Sequence, residues 1–318
     1  MKCAICYNED NNRAFIIKEM MFGLRDEFKY FECAKCGCFQ IDKIPDSMDR
    51  YYPDDYYSLN QPDGGELKIS YFKMLQFDHL SGYKPSALGA LASYQYNPKK
   101  YKWFKNLKLK DKSKKILDIG SGSGELLKQL FKVGFTNLTG IDPYIKMNKI
   151  YNKHLRNLKT TIFEVEGAYD IIMMHHSLEH LPDQGDVISR IDKLLLPGGQ
   201  LLIRIPVTSD VLFQKYGVNL VSLDAPRHFF IHSIKSIELL LENQGFIVRK
   251  AIYDTELLDI VTSEQYLRDI SMNDPRSYSL NKKRSVFSSN EIGNFKKFTQ
   301  EINEQCKGAT VALYIERK

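Results

Sequence analysis

An α/β fold built on a mainly parallel sheet, preceded by a small cysteine-rich knuckle module, is what the sequence predicts, and three observations carry it. Lys115-Ile116-Leu117-Asp118-Ile119 is a short apolar run leading straight into Gly120-Ser121-Gly122-Ser123-Gly124, after which Glu125 to Phe131 follows a helical period. Asn137-Leu138-Thr139-Gly140-Ile141 is a second apolar run, and it ends at Asp142. Two C-x-x-C pairs, Cys3-Ala4-Ile5-Cys6 and Cys33-Ala34-Lys35-Cys36, stand ahead of both.

The cysteine pairs define a module over residues 1–50. Each pair can wrap two thiolates around one tetrahedral ion, and Gly37 supplies the backbone freedom a knuckle needs after the second pair. Structural Zn2+ on Cys3, Cys6, Cys33 and Cys36 is the expectation, with Cys38 a nearby thiol that leaves the choice of sulfurs open. Phe28 to Glu32 reads as the strand entering the second knuckle. A filled four-cysteine site has no open position, so its expected role is folding or docking, not chemistry.

Residues 51–110 form an aromatic-rich connector or cap. Tyr51-Tyr52-Pro53-Asp54-Asp55-Tyr56-Tyr57 is followed by a turn at Pro62-Asp63-Gly64-Gly65, and then by Tyr71, Phe72, Tyr83, Tyr94, Tyr96, Tyr101, Trp103 and Phe104. Interleaved lysines and aromatics can stack bases or sugar rings, but packing onto the neighbouring domain is the commoner use of such aromatics. Leu67 to Leu107 is expected to be helical and to cover a cleft.

Composition narrows the function classes. The chain has 318 residues, 43% of them hydrophobic, enough for one large core and an appended module. Its 45 basic and 39 acidic side chains leave a net charge of +6, too small a surplus for a nucleic-acid footprint. No long apolar run marks a signal peptide or a membrane span, so a cytoplasmic protein is expected. Six cysteines, four of them in close pairs, suit metal ligation in a reducing compartment. Oligomeric state leaves no trace in the sequence.

The glycine loop carries the chemistry. Missing side chains let its backbone approach a ligand, and the free amides at the helix start favour negative groups. Asp142 comes 18 residues past Gly124, where an acidic side chain can hold ribose hydroxyls. A dinucleotide site requires G-x-G-x-x-G, whereas here the third glycine is Gly124 and Glu125 follows, a poor neighbour for pyrophosphate.

Leu117-Asp118-Ile119-Gly120-Ser121-Gly122-Ser123-Gly124 resembles the first strand and loop of the class I S-adenosylmethionine-dependent methyltransferases. Tyr169 to Asp183, with His175-His176-Ser177-Leu178-Glu179-His180 at its centre, looks like that family's fourth strand and following turn. Leu194 to Ile203, with Pro197-Gly198-Gly199, looks like its turn into the fifth strand. The resemblance covers about residues 112–255 and implies a Rossmann-like sheet of seven strands. Ala309 to Ile315 would be the antiparallel member, and residues from about 257 to 305 an insertion in a catalytic domain over 111–318. Asp224-Ala225-Pro226-Arg227-His228-Phe229-Phe230-Ile231-His232-Ser233, followed by a helix from Ile234 to Gln244, resembles a bacterial subgroup that often carries a cysteine-rich amino-terminal module. One departure is that only Thr161 to Ala168 separates the third strand from Asp170, where the family usually places an acidic contact to the adenine amine.

The resemblance implies S-adenosylmethionine bound by Asp118, Gly120, Ser121, Gly122, Gly124, Asp142, Pro143 and His175. Methyl transfer needs an aligned acceptor and, where that acceptor carries a proton, a base. Histidine suits the role because it titrates near neutrality. His228 and then His176 are the leading candidates, ahead of His175 and His180, although a single histidine is more often a packed structural residue. Neighbouring residues of a strand point oppositely, so at most one of His175 and His176 faces a substrate. Glu179 would orient the loop, and Arg227 would bind an anionic substrate or enter a salt bridge.

The leading function is therefore methyl transfer to a small molecule, with a sugar hydroxyl, a glycan precursor or a nucleotide-linked sugar as the acceptor implied by the subgroup. An RNA methyltransferase docking RNA through the zinc module is an alternative. It is disfavoured by the absence of an Asn-Pro-Pro-aromatic turn at His175 to Leu178 and of a Pro-Cys nucleophile. A non-catalytic cofactor-binding scaffold is a third reading, against which the intact glycine loop and Asp142 stand.

Overall fold

The structure is a computed structural model that describes residues 1–53, 67–95 and 98–318. Asp54 to Tyr57, the turn at Pro62 to Gly65 and Tyr96 lie outside the described residues.

The chain begins with three antiparallel strands, β1 (Arg13–Lys18), β2 (Glu27–Glu32) and β3 (Phe39–Ile41), between and beside which the two cysteine turns sit. Three helices follow, α1 (Tyr71–Leu80), α2 (Ala87–Gln95) and α3 (Lys99–Lys102), in the segment expected to be helical. Phe77 of α1 meets Tyr101, Phe104 and Phe135 edge-on at 5.3–5.4 Å, so these aromatics serve packing onto the sheet domain.

The main domain runs β4 (Ile116–Ile119), α4 (Glu125–Lys132), β5 (Leu138–Ile141), β6 (Lys149–Asn152), β7 (Leu155–Leu158), β8 (Tyr169–His175), α5 (Gln184–Leu194) and β9 (Leu195–Pro206). It continues through α6 (Asp210–Tyr216), β10 (Phe230–Ile231), α7 (Ile234–Glu242), β11 (Phe246–Tyr253), α8 (Leu257–Leu267), α9 (Ser289–Glu304) and β12 (Thr310–Arg317). The main sheet has the order β11-β12-β9-β8-β4-β5-β7-β6. Neighbours from β9 to β7 are parallel, while β12 is antiparallel to both β9 and β11. β4 and β5 are buried at every position, as strands covered on both faces must be.

Among the described residues the main sheet has eight strands where seven are expected. The addition is β6, an edge strand folded back antiparallel on β7. Its sequence Lys-Ile-Tyr-Asn has no buried position and leaves Ile150 exposed, so no alternation of apolar residues announces it. A second difference concerns the amino-terminal sheet, whose fourth strand is β10, with Phe230 opposite Gln40 and Ile231 opposite Phe39. One buried cluster runs without a break from Cys3, Tyr30 and Phe39 to Leu117, Ile203 and Leu313. The cysteine module thus shares its core with the main domain.

The segment read as an insertion contains α8 and α9, each opened by a capping box, Glu256 with Asp259 and Ser288 with Glu291. No helix among the described residues is long and apolar enough to cross a membrane.

Candidate active site

At the carboxyl end of β4 the chain turns sharply at Gly120, whose φ is +74°. A Cβ there would stand 2.4 Å from Cβ of Ser177, so only glycine fits between the two loops. Ser177 in turn donates from Oγ to the carbonyl of Ile119 at 2.8 Å. The glycine loop and the loop after β8 are therefore in direct contact. Gly124, also left-handed, caps α4 and lies against Asn157.

Asn157 on β7 is fully buried and was not singled out in the sequence. Its Nδ2 donates to the Gly122 carbonyl at 2.8 Å, and its Oδ1 accepts from Ser121 Oγ at 2.6 Å. Only its place as a polar residue in the run Leu155-Arg156-Asn157-Leu158 hinted at a role. Asp142 holds the other side of the loop, accepting from the Gly122 amide at 3.0 Å through Oδ2 and from the Tyr144 amide at 2.9 Å through Oδ1. Pro143 follows it in an exposed turn.

Asp118 is 3% exposed and has no hydrogen-bond partner among the described residues. Burial, and then the nearby Asp142 carboxylate, push its carboxyl up to about 8. Burial also raises Asp142, against the two amides that lower it. Two buried carboxyls beside a glycine loop form a site that a cation would relieve. The α-ammonium of S-adenosylmethionine fits that requirement, and the ribose hydroxyls fit Asp142.

The four histidines separate into one and three. His175 stacks on Trp103 at 4.7 Å, and both its ring nitrogens are buried without partners. Burial, then the Arg204 charge, lower it to about 3, so it stays neutral and packs against the cap. His176, at φ +51°, turns the other way, with Nδ1 3.2 Å from Glu179 Oε1 and Nε2 against the Arg204 guanidinium. That guanidinium only donates, so it occupies the Nε2 lone pair.

His180 and His228 meet edge-to-face at 4.8 Å. His180 Nδ1 lies 2.8 Å from the Arg227 carbonyl and 3.0 Å from Tyr52 Oη. His228 Nδ1 lies 2.7 Å from the Ser222 carbonyl. A ring nitrogen facing a carbonyl must carry the proton, so both rings keep an Nε2 lone pair. Burial, then His228, hold His180 down at about 4. Glu179 is buried beneath them. Burial pushes its carboxyl up, but the hydrogen bond from His176 and the fields of the three histidines outweigh this and hold it at about 2.

Arg227 does not face a ligand. Its guanidinium is fully buried between Asp224, at 2.6 and 2.9 Å, and Glu19 of the amino-terminal module, at 2.9 Å. Of the two uses open to it in the sequence, the structure adopts the salt bridge. The Tyr30 hydroxyl also donates to the His228 carbonyl at 2.9 Å, so the module holds the His228 loop at two points.

The four module cysteines converge. Cys3 and Cys36 sulfurs are 3.6 Å apart, Cys6 and Cys33 3.4 Å, and all four lie within 4.8 Å of one another. Tetrahedral zinc with bonds of about 2.3 Å separates its sulfurs by roughly 3.8 Å, so the set fits that ion. Cys38 lies deeper, 4.0 Å from His232 Nδ1, and is not one of the four.

Residues 95–251 match the family described as a methyltransferase domain. The chain carries a class I methyltransferase domain. Among curated relatives, the Ubiquinone biosynthesis O-methyltransferase of Bordetella avium is 31% identical over 163 residues, covering 45% of this chain and 65% of that protein. The protein of the same name from Thiobacillus denitrificans is 28% identical over 153 residues, covering 44% and 62%. The chain thus spans less than two thirds of these relatives. Among solved structures, mycolic acid cyclopropane synthase CmaA1 complexed with SAH and CTAB has a TM-score of 0.45 at 15% identity, covering 80% of this chain and 100% of that one. The methyltransferase domain includes the glycine loop, Asp142 and all four histidines, whereas the four cysteines lie outside the matched residues.

Proposed function

We propose that this chain transfers a methyl group from S-adenosylmethionine to a hydroxyl oxygen of a small molecule. The observation that carries the reading is the contact between the glycine loop and the histidine loop through Gly120, Ile119 and Ser177, which sets a cofactor cradle beside imidazoles with free Nε2 lone pairs. Oxygen as the acceptor is supported by the relatives, which are O-methyltransferases by name. A sugar or glycan precursor finds no support in those names, so the acceptor class stays at a small-molecule hydroxyl.

S-adenosylmethionine, when bound, supplies a methyl on a sulfonium and departs as a thioether. Asp118 would pair with its ammonium and Asp142 with its ribose. His228 is the favoured base, because Ser222 fixes its tautomer while its Nε2 remains able to take the hydroxyl proton as the oxygen–carbon bond forms and the carbon–sulfur bond breaks. His176, its Nε2 already engaged by Arg204, is the weaker candidate. Zn2+ on Cys3, Cys6, Cys33 and Cys36 would stiffen the module that holds the His228 loop.

Calorimetry with S-adenosylmethionine and S-adenosylhomocysteine, followed by a screen of hydroxylated acceptors, tests the proposal. Cofactor binding with turnover that falls about 10²- to 10⁴-fold in His228→Ala is expected. Failure of the folded chain to bind either cofactor form would overturn it.

A further inference from the structure

Two histidines with fixed tautomers are one more than a single proton transfer needs. His180 and His228 each commit Nδ1–H to a main-chain carbonyl, at 2.8 and 2.7 Å. That leaves two Nε2 lone pairs, and metal-binding histidines are held in the same way through their other ring nitrogen. Glu179 completes the set. Its side chain is 1% exposed, Oε1 is engaged by His176, and Oε2 is buried with no hydrogen-bond partner. One donor atom from each of Glu179, His180 and His228 lies within 4.8 Å of the others. Asp224 Oδ2 lies 3.8 Å from His228 Nε2, but its charge is already taken by Arg227, so the three side chains carry the site. A buried carboxylate oxygen with no hydrogen-bond partner, within reach of two imidazole ring nitrogens, is costly without an occupant, and a cation removes that cost.

We propose that Glu179, His180 and His228 bind a divalent first-row cation, such as Mn2+, Fe2+ or Zn2+, at a site separate from the four cysteines. Two imidazoles and one carboxylate suit such an ion and leave coordination positions open. Binding stands on these side chains alone. The ion's purpose rests on the methyl-transfer reading: an open position takes the acceptor hydroxyl oxygen and the ion's charge lowers the hydroxyl pKa. With the ion bound, the His228 Nε2 lone pair is a ligand and cannot also take the proton, so in that state the ion and water would replace His228 as the base. The coordinated hydroxyl loses its proton to water, and its oxygen lone pair forms the bond to the methyl carbon as the carbon–sulfur bond breaks and the thioether leaves.

The test is titration by Mn2+ of the full chain holding one Zn2+ per chain, the amount the four cysteines take, with free Mn2+ followed by electron paramagnetic resonance. Mn2+ prefers nitrogen and oxygen donors and leaves thiolates to zinc. Saturable binding of one Mn2+ is expected, weakened at least about tenfold in His180→Ala, His228→Ala and Glu179→Gln, while circular dichroism is unchanged. No saturable binding by the folded wild-type chain, or equal binding by all three folded variants, overturns the site. Should the variants not fold, paramagnetic broadening of the His180 and His228 ring resonances in the wild type decides the point, and its absence at saturating Mn2+ overturns the site. Calorimetry of S-adenosylmethionine without Mn2+ reports separately on the methyl-transfer reading.

Discussion

Arg227 and Glu19 form an ion pair at 2.9 Å in which neither side chain has any exposure to solvent. The pair joins the loop carrying His228 to the amino-terminal module across 208 positions of sequence, and Asp224 takes the other face of the same guanidinium. Burial weakens the charge on Arg227, but Asp224 and Glu19 more than restore it. Such a pair contributes little against an apolar replacement of both partners, yet loss of one partner strands a charge. Arg227→Met should therefore cost about 3–5 kcal/mol in urea unfolding. A cost below about 1 kcal/mol, the range of an exposed pair, would refute the buried clamp.

The same link gives the cysteine module a measurable reach. Removing zinc with a chelator, or replacing Cys33 with Ser, should lower the thermal midpoint and release one zinc per chain by elemental analysis. Because the module holds the His228 loop through Tyr30 and Glu19, turnover should fall further than cofactor affinity. Equal losses in the two would mean that the module supports the fold only in general.

What was legible in the sequence was what local spacing dictates. Gly120 to Gly124 and the two C-x-x-C pairs each obey constraints set within a few residues, so motif and structure coincide. Pairings made at long range left no such mark. β10 is two residues long and becomes a strand only because β3 lies beside it. Arg227 sits in a loop beside a histidine, a context that invites a ligand-binding reading, and nothing local announces Glu19. Asn157 escaped notice because its partners, Ser121 and Gly122, lie 35 positions and more away. His175 and His176 were expected to diverge from strand geometry alone, and Trp103 takes one of them while Glu179 takes the other.

Asp142 should govern cofactor affinity. Its carboxylate organises the loop through the Gly122 and Tyr144 amides and is the proposed ribose partner. Asp142→Ala should weaken S-adenosylmethionine by about 10- to 100-fold, the worth of one charged hydrogen bond at roughly 1.5–3 kcal/mol. Asp142→Asn should lose less, since an amide oxygen still accepts one of the two bonds. Calorimetry of both variants checks the order, and unchanged affinity in Asp142→Ala would remove Asp142 from the cofactor site.

Asp118 should make both stability and cofactor binding depend on pH. Its folded carboxyl is raised from the ordinary 3.8 to about 8, by burial first and by Asp142 second. Below the unfolded value both states hold the proton, and Asp118 contributes no pH dependence. Between the two values the unfolded chain gives up the proton while the folded chain keeps it, so stability falls as pH rises, and the full penalty is reached above about 8. Asp118→Asn removes that penalty. Its thermal midpoint should exceed that of the wild type by a margin that grows from pH 5 to pH 8, where Asp118 is half ionised. Binding of the cofactor's ammonium reverses the preference, because a positive partner favours the carboxylate. At pH 7 the wild type should therefore release a proton on binding S-adenosylmethionine, seen as a dependence of the calorimetric enthalpy on the ionisation heat of the buffer. Asp118→Asn should bind more weakly and release none. A stability margin independent of pH, or equal proton release by the two proteins, would place the ammonium elsewhere.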